Sequence, residues 1–399
     1  MTQTVEQRRS PKAEKADANS FRTSRGPARV VASVAALEET LRGRALERHC
    51  KDIRYFHVIE RTLGGQFQQR YLILENEATG DIGVQPFFFV DQDLTAGLPG
   101  RFRTWVKKMR GRWPQFLVLR MLMVGCAAGE GQLDSEEPWF VEALHDSLEL
   151  FRKRKDASIV MLKDFPREYR EALQPFSQNG YRRVPSMPAA TLNLDFANFE
   201  EFMAKRLSKV FRKNLRRKFR ALDDAEPLQM EVVSDITPYV DEIFPLYLQT
   251  FNRSELKFEE LTKEYFCSVG RDMSDRTRYF IWRQGGRIVA FNLCMVHDGI
   301  LYDLDVGMDY SVALDLHLYF VSWRDIISWC LENDVKMYHT GPLNYDPKLH
   351  LKLSLAPQDL YARHASSWIN PIFKIAIEFL QPVRHDPILQ RFANAHEMA

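Results

Sequence analysis

Tyr279-Phe280-Ile281-Trp282-Arg283-Gln284-Gly285-Gly286-Arg287-Ile288-Val289-Ala290-Phe291-Asn292-Leu293-Cys294-Met295-Val296 consists of two apolar runs joined by a Gly-Gly pair. β-Branched and aromatic side chains on either side of a turn that tolerates positive φ read as an antiparallel hairpin. A further turn at Asp298-Gly299 leads into a third strand, Ile300–Val306. An amphipathic helix over about Ala313–Leu331 and a short strand over Lys336–His339 follow. The same order occurs once earlier: a hairpin of Tyr71–Glu75 and Ile82–Val90 around the polar turn Asn76–Asp81, a helix Pro138–Arg154, and a strand Ser158–Leu162. Between that first hairpin and its helix lie the basic segment Arg101–Arg112 and an apolar strand Phe116–Val124. The repeated pattern predicts an α/β (α+β) protein of two tandem lobes, each a mixed, mostly antiparallel sheet flanked by helices.

The 399 residues suffice for two such lobes. Predicted boundaries are a basic segment without structure at 1–45, a first lobe at 46–195, a second at 196–368, and an apolar helix and tail at 369–399. The five cysteines, Cys50, Cys126, Cys267, Cys294 and Cys330, are odd in number, widely spaced and never arranged Cys-x-x-Cys. Neither a disulfide framework nor a zinc site is expected from them, and a reducing compartment fits. The first thirty residues carry seven Lys and Arg and no apolar stretch of signal-peptide kind. The most apolar window, Phe116–Ala128, contains Arg120 and falls short of the roughly 18 apolar residues a bilayer span needs. A cytoplasmic location is expected. The net charge of +2 supports no global attraction to nucleic acid or anionic lipid, so only local clusters carry weight.

One cluster stands out between the lobes. Asn198 with Glu201 makes a helix start of capping-box spacing, and Leu207, Phe211, Leu215, Phe219 and Leu222 form one apolar stripe. The spacing predicts a helix over 199–222. Opposite the stripe lie Lys205, Arg206, Lys209, Arg212, Lys213, Arg216, Arg217, Lys218 and Arg220. A packed stripe backed by cations can face an anion, and phosphate is the usual target; a solvated face is the alternative.

The run Leu207–Lys218 resembles the basic helix of FemAB-like and BioF2-like acyltransferase domains of the GNAT superfamily. The succeeding hairpin, strand, helix and segment Gly341-Pro342-Leu343-Asn344-Tyr345-Asp346-Pro347-Lys348 follow that group's order. The resemblance covers residues 195–365, and 46–365 more loosely as a tandem. It implies transfer of an acyl group from a thioester, or from an aminoacyl-tRNA in the peptidoglycan branch, to an amine. The co-substrate is then acyl-CoA, with no other cofactor and no metal. Arg212, Lys213, Arg216 and Arg217 would meet donor phosphates, and Tyr345 and Lys348 would touch donor or acceptor. The pattern departs from the group at Gly307-Met308-Asp309-Tyr310-Ser311, where one glycine stands in place of a glycine-rich turn. The coiled-coil hairpin common in the peptidoglycan branch is also missing.

Acyl transfer to an amine needs a base. Asp303 and Asp305 lie two apart on a predicted strand, so their side chains are expected on one face, where paired carboxylates could hold or deprotonate an ammonium. Turn capping and solvation are the plainer explanation. His339 and His317 fall where the family site would converge, although each could equally be a packing residue. In the first lobe, Gly129 and Gly131 could let backbone amides approach a phosphate, against the nearby Asp134, Glu136 and Glu137, or form an ordinary turn.

The helix opening at Asn370-Pro371 is apolar on almost every side, which predicts burial between lobes or in a dimer; contact with lipid or an acyl chain is the alternative. The leading function is therefore an N-acyltransferase acting from acyl-CoA on the amine of an envelope or lipid-type acceptor, with peripheral contact at the inner membrane surface. The resemblance permits a sphingoid amine, as in bacterial ceramide synthases. Alternatives are an aminoacyl-tRNA-dependent transferase, a nucleic-acid-binding protein without catalysis, and an inactive scaffold. No nucleic-acid-binding signature accompanies the cations, so nucleic acid is not the expected partner.

Overall fold

The computed structural model describes residues 19–93, 106, 108–112, 118–154, 156–220, 222, 226–254 and 257–398. The expectations for residues 1–18 and for half of Arg101–Arg112 lie outside these. In chain order the first lobe comprises β1 (Ser20–Arg22), β2 (Pro27–Val31), α1 (Glu39–Arg44), α2 (Ile53–Leu63), β3 (Gln68–Glu75), β4 (Ile82–Asp93), β5 (Val118–Val124), α3 (Pro138–Arg154), β6 (Ile159–Pro166), α4 (Gln174–Gln178) and β7 (Arg182–Pro185). There follow β8 (Ala189–Asn193), α5 (Phe199–Arg206), α6 (Lys209–Arg220), β9 (Gln229–Val233), α7 (Val240–Arg253), α8 (Lys263–Asp272), β10 (Thr277–Gln284), β11 (Arg287–His297), β12 (Ile300–Met308), α9 (Leu318–Glu332), β13 (Met337–Thr340), α10 (Tyr345–His350), β14 (Ser354–Ala356), β15 (Gln358–His364) and α11 (Asn370–Leu380).

These elements form two mostly antiparallel sheets flanked by helices, as the repeat predicts. The first has the order β1-β2-β3-β4-β5-β6-β15-β7 and the second β14-β8-β13-β12-β11-β10-β9. Each contains one parallel pair, β5 with β6 and β12 with β13. The expected unstructured segment 1–45 is too long: β1 and β2 extend the first sheet, with Ala28–Val31 registered on Tyr71–Leu74.

The lobes exchange strands. β15, near the C-terminus, lies between β6 and β7 of the first sheet, while β8, which precedes the basic helices, pairs with β13 and β14 of the second. The predicted lobes 46–195 and 196–368 therefore each contain a strand of the other's sheet, β8 in the first and β15 in the second. Period-two alternation marks a strand without naming its neighbour.

One apolar core runs through both lobes, joining Tyr55, Phe56 and Phe88 to Tyr265, Phe291 and Met295. α2 packs on α8, and the Tyr55 and Tyr265 hydroxyls lie 2.7 Å apart. Arg61 Nη2 to Asp272 at 2.8 Å and Arg54 Nη1 to Asp275 at 3.0 Å fasten the rim.

The helix expected over 199–222 is two helices. Asn198 caps α5 by accepting from Glu201 N at 2.9 Å. Leu207 is then extended (φ −95°, ψ 146°) and buried, and Ser208 restarts the chain, its hydroxyl accepting from Phe211 N at 3.3 Å. A side-chain acceptor at Ser208 favours a new N-terminus over continuation.

Candidate active site

The pairing of β12 with β13 begins at Ile300 with Met337 and stops at Asp303 with Thr340. β12 continues to Met308 without that neighbour, so the middle of the second sheet opens and one edge of the Leu304–Met308 backbone faces a gap. A bulge lies at this opening: Leu293 is opposite Asp305 while its successor Cys294 is opposite Asp303. Because an extra residue breaks the two-residue alternation, Asp303 and Asp305 point to opposite faces, contrary to the single face that their spacing predicts.

On one face, toward α5 and α9, Asp303 accepts from Asn292 Nδ2 at 2.8 Å and from the Tyr338 hydroxyl at 2.6 Å. Burial raises its carboxyl above the usual range, opposed by these bonds and by Lys348. Lys348 is 5% exposed, and burial lowers its ammonium to about 8. It donates to the carbonyls of Gly341 and Leu343, holding a loop in which Leu343 and Asn344 both have positive φ. Tyr345 donates to Pro188 O at 2.8 Å and packs on Phe392. Both residues of the closing segment thus fix the loop beside the gap.

The same face receives the basic helix. Phe211 of α6 meets Phe320 of α9 edge-on at 6.3 Å, and Lys218 Nζ lies 4.9 Å from the Phe320 ring. His317, left-handed at φ 48°, precedes the first turn of α9, and burial together with Lys218 and Arg217 lowers its imidazole. Two cations therefore flank the positive end of a helix, an arrangement suited to phosphate. Arg212 and Arg216 sit on the other flank, bonded to Ala204 O and Glu200 at 2.7 Å each, and Lys213 is exposed. Of the predicted donor cations, Arg217 is the one placed at α9, and Lys218 joins it. Gly307 serves a different purpose: a Cβ there would lie 2.3 Å from the Phe291 ring and 2.6 Å from Tyr247 N, so it lets α7 cross β12 closely.

On the opposite, interlobe face lies Asp305. Burial, with Glu259 and Asp303 adding to it and Lys51 opposing, raises its carboxyl to about 7. Glu259 is also raised, by burial against the pull of Lys163 and Lys51. His339 faces the same way, 5.2 Å from the Tyr302 ring and 3.2 Å from Glu130 of the first lobe. Glu130 is held low: burial would raise it, but His339, Lys51 and Lys163 outweigh that. Gln358 of β15 also donates to Glu130.

The loop carrying Glu130 is held from the first lobe. Lys51 Nζ donates to Ala128 O at 2.7 Å and Lys163 Nζ to Gly129 O at 3.2 Å. A Cβ at Gly129 would fall 1.9 Å from Lys51 Nζ, and one at Gly131 2.4 Å from Lys163 O. These glycines admit lysine and backbone, so the space expected for a phosphate is filled. Lys51, Lys163 and Glu259 escape sequence reasoning because they are isolated charges far apart in the chain, Lys163 on β6 and the other two on loops, and only the packing of the lobes brings them together. Among the described residues no group of three or more His, Cys, Asp or Glu could hold a metal ion.

Residues 209–349 match the acetyltransferase (GNAT) domain model. This chain carries a GNAT acyltransferase domain. The matched span contains α6, the opened pair β12 and β13, and α9, so the GNAT domain is the second lobe. Among solved structures, FemX is similar at 12% identity over 82% of this chain and 93% of its own, with a TM-score of 0.52. A conserved protein of unknown function from Bacteroides thetaiotaomicron is similar at 10% identity over 84% and 98%, with a TM-score of 0.50. L-PGS from Bacillus licheniformis is similar at 13% identity over 82% and 95%, with a TM-score of 0.48. The first two show a shared FemAB-like fold. No curated protein matches.

Proposed function

We propose that the GNAT lobe transfers an acyl group from acyl-CoA to the amine of an envelope or lipid-type acceptor, with Asp305 as general base. The observation carrying this reading is Asp305 itself, a carboxyl raised to about 7 on the interlobe face of the strand beside which the sheet opens. A base poised near neutrality suits an ammonium acceptor. Asp305 and Glu259 would draw the ammonium into the interlobe face, and ionised Asp305 would take its proton. The free amine attacks the thioester carbonyl, a C–N bond forms, the C–S bond breaks, and CoA leaves as a thiol after the sulfur takes up a proton. The open backbone edge of Leu304–Met308 offers partners to the amides of the donor's arm. Arg217 and Lys218 at α9 would receive its phosphates.

An aminoacyl-tRNA donor is the second reading, favoured by the exposure of Lys209, Lys213, Arg216, Arg217 and Arg220 along the whole of α6. A polynucleotide backbone could use that length, whereas one pyrophosphate needs only the end beside α9.

Melting temperature with acetyl-CoA, palmitoyl-CoA, free CoA and a charged tRNA tests the choice, comparing wild type with Arg217→Ala/Lys218→Ala. A shift with a thioester, lost in the variant, supports the first reading and justifies a screen of amines that includes sphingoid bases. A shift with tRNA alone replaces it with the second.

A further inference from the structure

The C-terminal helix α11 is turned inside out relative to an ordinary surface helix. Trp368 is 92% exposed, Ile369 48%, Ile372 70%, Ile375 60% and Phe379 65%. Trp368, Ile372, Ile375 and Phe379 follow helical spacing and share one outward face. The other large apolar side chains exposed among the described residues, Val210, Met230 and Leu314, are scattered. The orientation is fixed from beneath: α11 contacts β15 and β7, Asn370 donates to Gly180 O and accepts from His364 N at 3.0 Å each, and Phe373 packs on the His364 ring at 6.0 Å. The burial that the sequence predicts for this helix is thus not met by the lobe.

The flanks of the stripe say what covers it. Arg182 lies 2.7 Å from Glu378, Arg384 lies 3.8 Å from the same carboxylate and 5.7 Å from the Phe379 ring, and Lys374 sits half-buried on the helix side. Three cations against one acid border an apolar face with Trp at one end. A second copy would set these cations against each other. Anionic headgroups would pair with them while the apolar face enters the acyl boundary, the pattern of interfacial helices.

We infer that α11 is a lipid-docking element that seats its outward face in the interfacial layer of an anionic bilayer. Among the described residues no helix is long and apolar enough to cross a membrane, so the contact is peripheral. The inference does not depend on the transfer reaction.

Co-sedimentation of the full chain with phosphatidylcholine vesicles, with and without phosphatidylglycerol, tests it. Wild type should bind the anionic vesicles, more weakly at high salt and more weakly again to phosphatidylcholine alone. Ile372→Glu/Phe379→Glu should cut partitioning by about tenfold or more per residue, with melting temperature and transfer to a water-soluble amine unchanged. If that variant fails to fold, Trp368→Ala and Ile375→Ser carry the test with smaller losses in the same direction. Absence of wild-type binding, or binding that survives these substitutions, overturns the inference. So does light scattering that finds a dimer which Ile372→Glu/Phe379→Glu dissolves while vesicles bind neither protein, because the face is then a protein interface.

Discussion

The two lobes repeat one order of strands and helix, yet the entrance to the helix differs in sign. In the first lobe Asp134, Glu136 and Glu137 stand before α3, and Asp134 is committed to Leu46 N and Val84 N at 2.7 Å each. The loop ahead of them is filled by Lys51 and by the backbone of Lys163. In the second lobe Arg217 and Lys218 border the start of α9, and the adjoining sheet is open. An anionic donor is repelled at one entrance and attracted at the other. On the proposed function, duplicated architecture would supply one donor entrance, while the other copy would lend Lys51, Lys163 and Glu130 to the face where the acceptor would bind.

The comparison is broken most severely through Asp305. Asp305→Asn should lower kcat/KM by about 10²–10⁴. In wild type, activity should climb as pH rises through about 7, where the carboxyl ionises, and the variant should lose that limb. An unchanged profile would move the base elsewhere. Next, Arg217→Ala/Lys218→Ala should raise the donor KM by roughly tenfold or more with kcat little changed. Arg212→Ala/Arg216→Ala should do less, because those cations are bonded to α5.

Asp305→Asn should also change stability with a definite sign. The folded carboxyl titrates near 7 and the unfolded one near the ordinary 3.8, so ionisation penalises the folded wild type progressively between those values and fully above them. The variant should therefore gain in melting temperature relative to wild type as pH goes from 4 to 7, by about 2–4 °C, and level off beyond. The smallest effect is a control on the first lobe. Glu136→Gln/Glu137→Gln should leave donor affinity within about twofold in the same thermal titration, and a large gain would show a second donor entrance.

Local pattern carried much of the architecture into the sequence. The Gly-Gly hairpin, the helices at Pro138 and Asn370, and the cap at Asn198 are each written in neighbouring residues, and each lies where expected. The bulge at Asp305 is silent because Asp-Leu-Asp reads as unbroken alternation, and only the partner strand shows the extra residue. α11 is predicted as a helix from its spacing, but its direction depends on which side chains β15 and β7 can take. His339 and Asp305 do share a face, whereas the charged groups around them come from positions up to 254 residues away, as Lys51 is from Asp305, beyond the reach of any spacing rule.

The strand exchange also sets an order of events on the ribosome. β15 fills the slot between β6 and β7, so the first sheet stays divided until residue 364 has left the exit tunnel. Until then the facing edges of β6 and β7 expose unpaired backbone, the kind of edge that recruits stray strands. The nascent lobe must therefore wait, incomplete, for nearly the whole chain, and a polypeptide cut after β13 should yield two unfinished sheets instead of one finished lobe.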